Sequence, residues 1–226
     1  MHNFIPATSS TLTFFLVIVL AVLIAILCGA YTIDRNFFKK VGLFLAIWLG
    51  LTSAIVLSDL PRQYPIPVAP ILLVANLLCA IGIGLSPWGG KFASLPAWML
   101  IAFQSFRFPL EIVLHMWAKT GTVPQTMTFT GQNYDIISGL LAILVVFPAF
   151  RSSKFLKIVN LIGIILLANV MRVVIMSSPF PFAWDLDRPI QLIFFMPYAL
   201  IGFVCVWAAI LGHVIATRSL IKSTGQ

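Results

Sequence analysis

Arg107, Glu111 and His115 follow one another at steps of four in an otherwise apolar stretch of the chain. At about 100° per residue, a helix brings such residues onto one slowly drifting stripe. Gln104 extends the stripe by one turn. A carboxylate beside an imidazole can take and return protons as a general acid and base. A guanidinium can hold a carboxylate or an anionic head group. The spacing also predicts local pairs, Arg107 with Glu111 and Glu111 with His115. Asp135 is a further candidate acid–base group. Asn133, Asn76 and the pair Asn169 and Arg172 are candidate ligand-binding groups with Arg107. The catalytic set is therefore Glu111, His115 and Asp135.

The elements that must position these residues follow from composition. Of 226 residues, 61% are hydrophobic and 9% charged. Soluble domains carry about 25% charged residues, so a water-soluble fold is excluded. A mean hydropathy of +1.07 agrees. A membrane helix needs about 20 mostly apolar residues. Seven stretches qualify: 11–30, 41–57, 68–85, 96–117, 134–150, 158–176 and 191–216. Unbroken apolar runs exclude a transmembrane barrel, whose strands alternate over ~10 residues. The sequence thus predicts an all-α membrane protein, a bundle of seven transmembrane helices forming one polytopic domain over 1–226. The first span is expected to stay in place as a helix. The residues before it include His2 but no Lys or Arg, and a signal peptide opens on a positive region.

Orientation follows from basic residues in short connectors. Arg35, Lys39, Lys40, Lys91, Arg151, Lys154, Lys157, Arg218 and Lys222 fall on one side of the predicted bundle. Arg62, Lys119 and Arg188 fall on the other. The first group predicts the cytoplasmic face, with the amino terminus outside and the carboxyl terminus inside. The net charge of +8 is then a topological signal and calls for no nucleic acid.

Arg107, Glu111 and Arg172 are left within spans. A charge at the bilayer centre costs about 2.5–3.5 kcal/mol on insertion scales. The least costly arrangement is one shared polar cluster between helices four, five and six, open to the outside. Intramembrane ionisable groups are functional candidates by default. The plainer reading is that a buried ion pair fixes helix packing and that the asparagines are interhelical hydrogen-bond glue. His213 reads as an interface residue near Arg218. Pro109 frees the Ser105 carbonyl and predicts a kink, and Pro197 a bend in helix seven. Gly202, Cys205, Ala209 and Gly212 form a small-residue packing stripe. The connectors 119–133 and 177–188 are expected outside the membrane.

Several chemistries are disfavoured. No CxxC or CxxCH occurs, which removes support for redox disulfides and covalent haem. His115 and His213 differ too much in depth to share a metal. No metal or other cofactor is predicted. Helix seven lacks a lysine before Lys222, so a retinal Schiff base is excluded. Ser138 in IISGLL lacks the GxSG setting of rhomboid proteases, and no HExxH-like motif is present.

The stretch RFPLEIVLH followed by MTFTGQNYDI, within 107–136, resembles segments of bacterial seven-helix integral membrane proteins. The resemblance implies a multi-pass protein of the bacterial inner membrane and carries over no catalytic residue. Three functions remain in view. The first is an outward-facing membrane enzyme or binding protein for an anionic or lipid-like small molecule. The second is a transporter component. The third is a structural subunit of a membrane complex, with a protein partner the sequence does not identify.

Overall fold

The computed structural model describes residues 4–222; His2 lies outside them. The described residues form α-helices, short 3-10 turns and one π-helical stretch, and contain no strand. The α-helices are α1 (Ser9–Ile33), α2 (Arg35–Leu57), α3 (Leu60–Gln63), α4 (Pro65–Leu85), α5 (Pro87–Phe92), α6 (Ala97–Ala102), α7 (Arg107–Lys119), α8 (Ile136–Leu144), α9 (Ser153–Met176) and α10 (Trp207–Lys222). Among the described residues, six helical stretches are long and apolar enough to cross a membrane: α1, α2, α4, Ala97–Lys119, α9 and Ile201–Lys222. The molecule is a helical membrane protein.

Local sequence sets the helix ends. Asp34 alone separates α1 from α2; its backbone is extended and its carboxylate accepts from the Phe37 N–H at 3.1 Å. Ser86 and Ser152 cap α5 and α9 in the same way. Each satisfies a backbone donor that a helix start leaves unpaired. Pro65 and Pro87 begin α4 and α5, where a missing N–H costs nothing. Val17, Leu20, Leu43, Ile47, Leu78 and Ile165 are each more than half exposed. Such an apolar outer surface is suited to lipid.

Two ends of the bundle can be told apart. At one, Phe4 stacks on Phe195 with ring centroids 4.2 Å apart, and the Ala7 N–H donates to the Tyr198 hydroxyl at 2.9 Å. Trp117, near the end of α7, meets the same Tyr198 ring. At the other, Arg218 donates to the carbonyls of Gly84 and Ser86, and Arg151 lies over the Trp98 ring at 3.6 Å. Lys91 lies over Phe37 there. Basic residues from two predicted connectors and the predicted tail thus gather at one end.

The predicted fifth span departs most from expectation. Its one α-helix is α8, nine residues long, followed by the 3-10 turn Pro148–Phe150. At 1.5 Å per residue α8 is about 14 Å, against about 30 Å of hydrocarbon. The chain nonetheless leaves α7 at the Tyr198 end and enters α9 at the Trp98 end. Residues 120–135 run between α7 and α8 without an α-helix. The connector expected outside is instead folded into the bundle, with Thr122, Val123, Met127, Thr128, Asn133 and Asp135 all buried. Arg107, in the middle of the 23-residue stretch Ala97–Lys119, pairs with Asp135 and so fixes the start of α8 at that level. Non-helical backbone at such depth must be satisfied internally. Thr122 N–H donates to Trp117 O, Gln132 N–H to Thr126 O and Asn133 N–H to Thr128 O.

Gly139 explains how α8 fits. A Cβ there would stand 2.3 Å from the Phe108 backbone nitrogen. Only glycine lets the two backbones approach this closely. Pro109 lies in the first turn of α7, directly after the 3-10 turn Phe103–Phe106. The predicted kink takes the form of that change of helix type.

The last passage is also modified. Residues 191–200 are not the helix expected from 191–216 but a 3-10 turn, Leu192–Phe194, and further turns containing a cis Met196–Pro197 bond. Pro197 precedes the helix rather than bending it. A π-helix, Ile201–Val206, then leads into α10. Two of its carbonyls receive side-chain donors: Trp48 Nε1 to Phe203 O at 2.9 Å and Asn76 Nδ2 to Gly202 O at 3.1 Å. Beyond it, α10 is the most enclosed helix of the bundle. Gly212 sits against Gln104 as a packing residue should. Gly202 does not, since a Cβ there meets nothing within 4 Å.

Candidate functional site

The stripe on α7 is present, but its pairs are different from those predicted. Arg107 does not pair with Glu111. Its Nε donates to Asp135 Oδ2 at 2.5 Å, and its Nη2 donates to Asp135 Oδ1. Its Nη1 reaches His213 Nε2 at 2.8 Å and Gly163 O at 3.5 Å. Every nitrogen of the guanidinium therefore has a partner. The two-pronged contact with Asp135 matches the fork of arginine to the two carboxylate oxygens. Residues one turn apart on α7 lose to a partner brought in by α8 because Asp135 meets Arg107 edge-on.

His213 is the main residue misread from sequence. It is buried, not interfacial. Its Nδ1 meets Asn160 Oδ1 at 2.9 Å, so Nδ1 carries the proton and Nε2 accepts from Arg107. Asn160 in turn donates from Nδ2 to Thr217 Oγ1 at 2.8 Å. A continuous polar chain thus runs Asp135–Arg107–His213–Asn160–Thr217 toward the basic end. Gly163 makes room for it, since a Cβ there would lie 2.3 Å from the imidazole Cε1. A depth count from the basic end carries the signal for this meeting: Asn160 lies about two turns into α9 and His213 about two and a half turns before the end of α10.

Glu111 forms the second half of the site. It is 2% exposed. Asn133 Nδ2 donates to its Oε1 at 2.8 Å and also to Met127 O at 3.2 Å. Asn133 Oδ1 accepts from the Asp135 N–H at 3.2 Å. The buried loop thus joins Glu111 to the ion pair. Glu111 Oε2 is buried with no hydrogen-bond partner. Buried polar atoms in native folds are nearly always paired, so this oxygen is available to a ligand.

A cavity of about 440 Å³ adjoins these groups, within the ~300–1,000 Å³ typical of small-molecule sites. Both α4 and α9 line it and barely touch one another, so it fills the gap between them. Its walls are hydrocarbon, including Ile66, Leu73, Leu110, Leu167, Val174 and Phe194. Its polar lining is Asn76, Arg107, Glu111, Asn133 and Asp135, with Ser178 nearer the Tyr198 end. Asn76 Oδ1 is a second buried acceptor without a partner.

The structure brings together five of the eight predicted site residues and leaves three apart. His115 is half-buried and stacks on Phe129 at 4.7 Å instead of pairing with Glu111. Its Nδ1 is unpartnered, but it does not line the cavity. Arg172 is exposed and donates through Nε and Nη2 to Asn169 Oδ1; it also lies over Trp184. Asn169 donates to Gln132 O at 2.8 Å. The expected single cluster is thus divided. Arg172 stands near the end of α9, where water is within reach of a long side chain, and needs no buried counter-charge. Comparison with protein-family models, with curated proteins and with solved structures finds no match to the chain.

Proposed function

We propose that the protein binds a lipid-like small molecule in the cavity between α4, α7, α9 and the last helix, with Glu111 acting on its head group. The observation that carries this reading is the union of hydrocarbon walls with a buried, unpartnered Glu111 oxygen. An apolar pocket with few convergent polar groups is the usual form of a ligand site. Asp135 and Arg107 hold the loop that positions Asn133, and Asn133 orients Glu111. Glu111 is then the acid–base group, while His115 stands outside the reacting region.

The same proposal takes the chain as seven passages in the bacterial inner membrane, with 120–135 and α8 together forming the fifth. The ends are proposed as amino terminus outside and carboxyl terminus cytoplasmic. Gathering of the basic residues at the Trp98 end supports it under the positive-inside rule. The cavity then lies toward the outer leaflet.

Native mass spectrometry in a mild detergent tests the binding. Wild-type protein should carry one amphiphile, and Gly202→Leu, filling the cavity where a Cβ meets nothing, should lose it. Equal occupancy in both would overturn the reading. If Glu111 does chemistry, Glu111→Gln should retain a different molecule, the unreacted one.

A transporter component is the second reading. The interrupted fifth passage favours it, since broken helices mark binding sites in transporters, as does the polar chain reaching Thr217. Flux of an amphiphile across proteoliposomes that is insensitive to Arg107→Ala and Glu111→Ala would remove it.

A further inference from the structure

Resting on the proposed binding cavity, the geometry points to the head-group chemistry: we infer that the ligand is an amphiphile whose head donates hydrogen bonds, a long-chain amine or alcohol, and not an anion. Three observations carry this. The lining holds one cation and two carboxyl groups, Arg107 against Glu111 and Asp135, among the described residues. That one cation is fully engaged, by both oxygens of Asp135, by His213 Nε2 and by Gly163 O. The two polar lining atoms left without partners are Asn76 Oδ1, an acceptor, and Glu111 Oε2, a carboxyl oxygen that keeps a lone pair in either protonation state.

The Asn76 assignment is fixed by its other end. Its Nδ2 donates to the Gly202 carbonyl, so Oδ1 is the oxygen. A head group with N–H or O–H bonds would satisfy both oxygens. A carboxylate or phosphate would bring only acceptors, would leave the Asn76 oxygen unpaired, and would find the one lining cation already engaged, in a site of low dielectric. Rejection on those terms is strong because the site's own groups stay unpaired as well. The cavity has room for roughly 15 groups of water size, taking about 30 Å³ for each. A twelve-carbon chain with a one-atom head is of that order.

The test uses the full chain in phosphatidylcholine nanodiscs, with empty nanodiscs as background. Retention of radiolabelled dodecylamine, dodecanol and dodecanoate is measured on wild type, Glu111→Gln and Gly202→Leu. The expected result is retention of the amine or the alcohol at up to one per chain, with dodecanoate at least 10-fold weaker. Glu111→Gln should weaken the amine at least 10-fold and the alcohol less, because glutamine keeps an acceptor but loses the charge. An amine-only or alcohol-only result identifies which donor the site takes, and both support the inference. Dodecanoate retained as well as the other two, and lost in Gly202→Leu, would overturn the donor-head inference while leaving the amphiphile cavity standing. No retention of any probe above background would overturn both.

Discussion

The Asp135 carboxylate meets the Arg107 guanidinium edge to edge, through Nε and Nη2, midway along the stretch Ala97–Lys119. One partner comes from a long helix and the other from the start of a half-length one. The contact therefore sets both charge balance and topology.

Removing one side of that pair should be severe. Asp135→Asn leaves the Arg107 charge buried without its counter-ion, and breaking a buried pair costs about 3–5 kcal/mol. The expected outcome is a lower unfolding midpoint and loss of monodisperse protein in detergent. Arg107→Met combined with Asp135→Leu should recover much of that loss, because no unpaired charge remains. A single variant as stable as wild type would contradict the paired assignment.

Two glycines should respond oppositely to the same change. Gly139→Ala drives a methyl into the Phe108 backbone and should destabilise by about 1–3 kcal/mol, the usual cost of overpacking. Gly82→Ala, within α4 and facing open space, should be neutral or stabilising by up to about 1 kcal/mol through helix propensity. Thermal melts of the two purified variants in the same detergent compare them directly.

His213 and Asn160 should be energetically coupled. Their contact orients the imidazole that meets Arg107. Replacing His213 by Leu strands polar groups on both sides, at about 1–3 kcal/mol. In a double-mutant cycle with Asn160→Leu, the losses should fail to add by about 0.5–3 kcal/mol. Additive losses would mean the chain is not a unit.

The legible part of the fold was the part written in long apolar runs. Six predicted spans correspond to helices because about 20 apolar residues have few other options in lipid. The fifth was misjudged for a physical reason. Thr and Gly in 120–132 read as an exposed connector by turn propensity, whereas the pairing of Asp135 with Arg107 and the bonds Asn133–Glu111 and Asn169–Gln132 draw that segment inward. For the site, the i, i+4 rule rightly put Arg107 and Glu111 on one stripe. It could not rank a neighbour on the same helix against a carboxylate arriving from α8, or a histidine arriving from α10. Asn133 was found from its residue type, and the structure gives its role as the link between Glu111 and the loop.

The buried loop should be protected from solvent. Within 122–135 the amides of Thr122, Met127, Thr128, Gly131, Gln132, Asn133 and Asp135 donate to acceptors in the protein, whereas no residue of 178–189 is buried. Hydrogen exchange in nanodiscs should be slower in the first segment by at least 10-fold. Comparable rates would refute the inward placement.

Orientation is open to a chemical check. With the native cysteines replaced, a cysteine at exposed Tyr64 should react with a membrane-impermeant maleimide on intact cells. One at Lys154 should react only after permeabilisation. The reverse pattern would invert the proposed topology.

The nine-residue length of α8 has a consequence for how the protein is made. A segment so short, preceded by polar backbone, gains too little from lipid to enter a bilayer as an independent helix. It needs Arg107 on α7 already in place, and a cover supplied by α9, which is synthesised later. Insertion and folding are therefore a single event for this part of the chain. A nascent polypeptide ending before α9 should hold the α8 segment outside the bilayer.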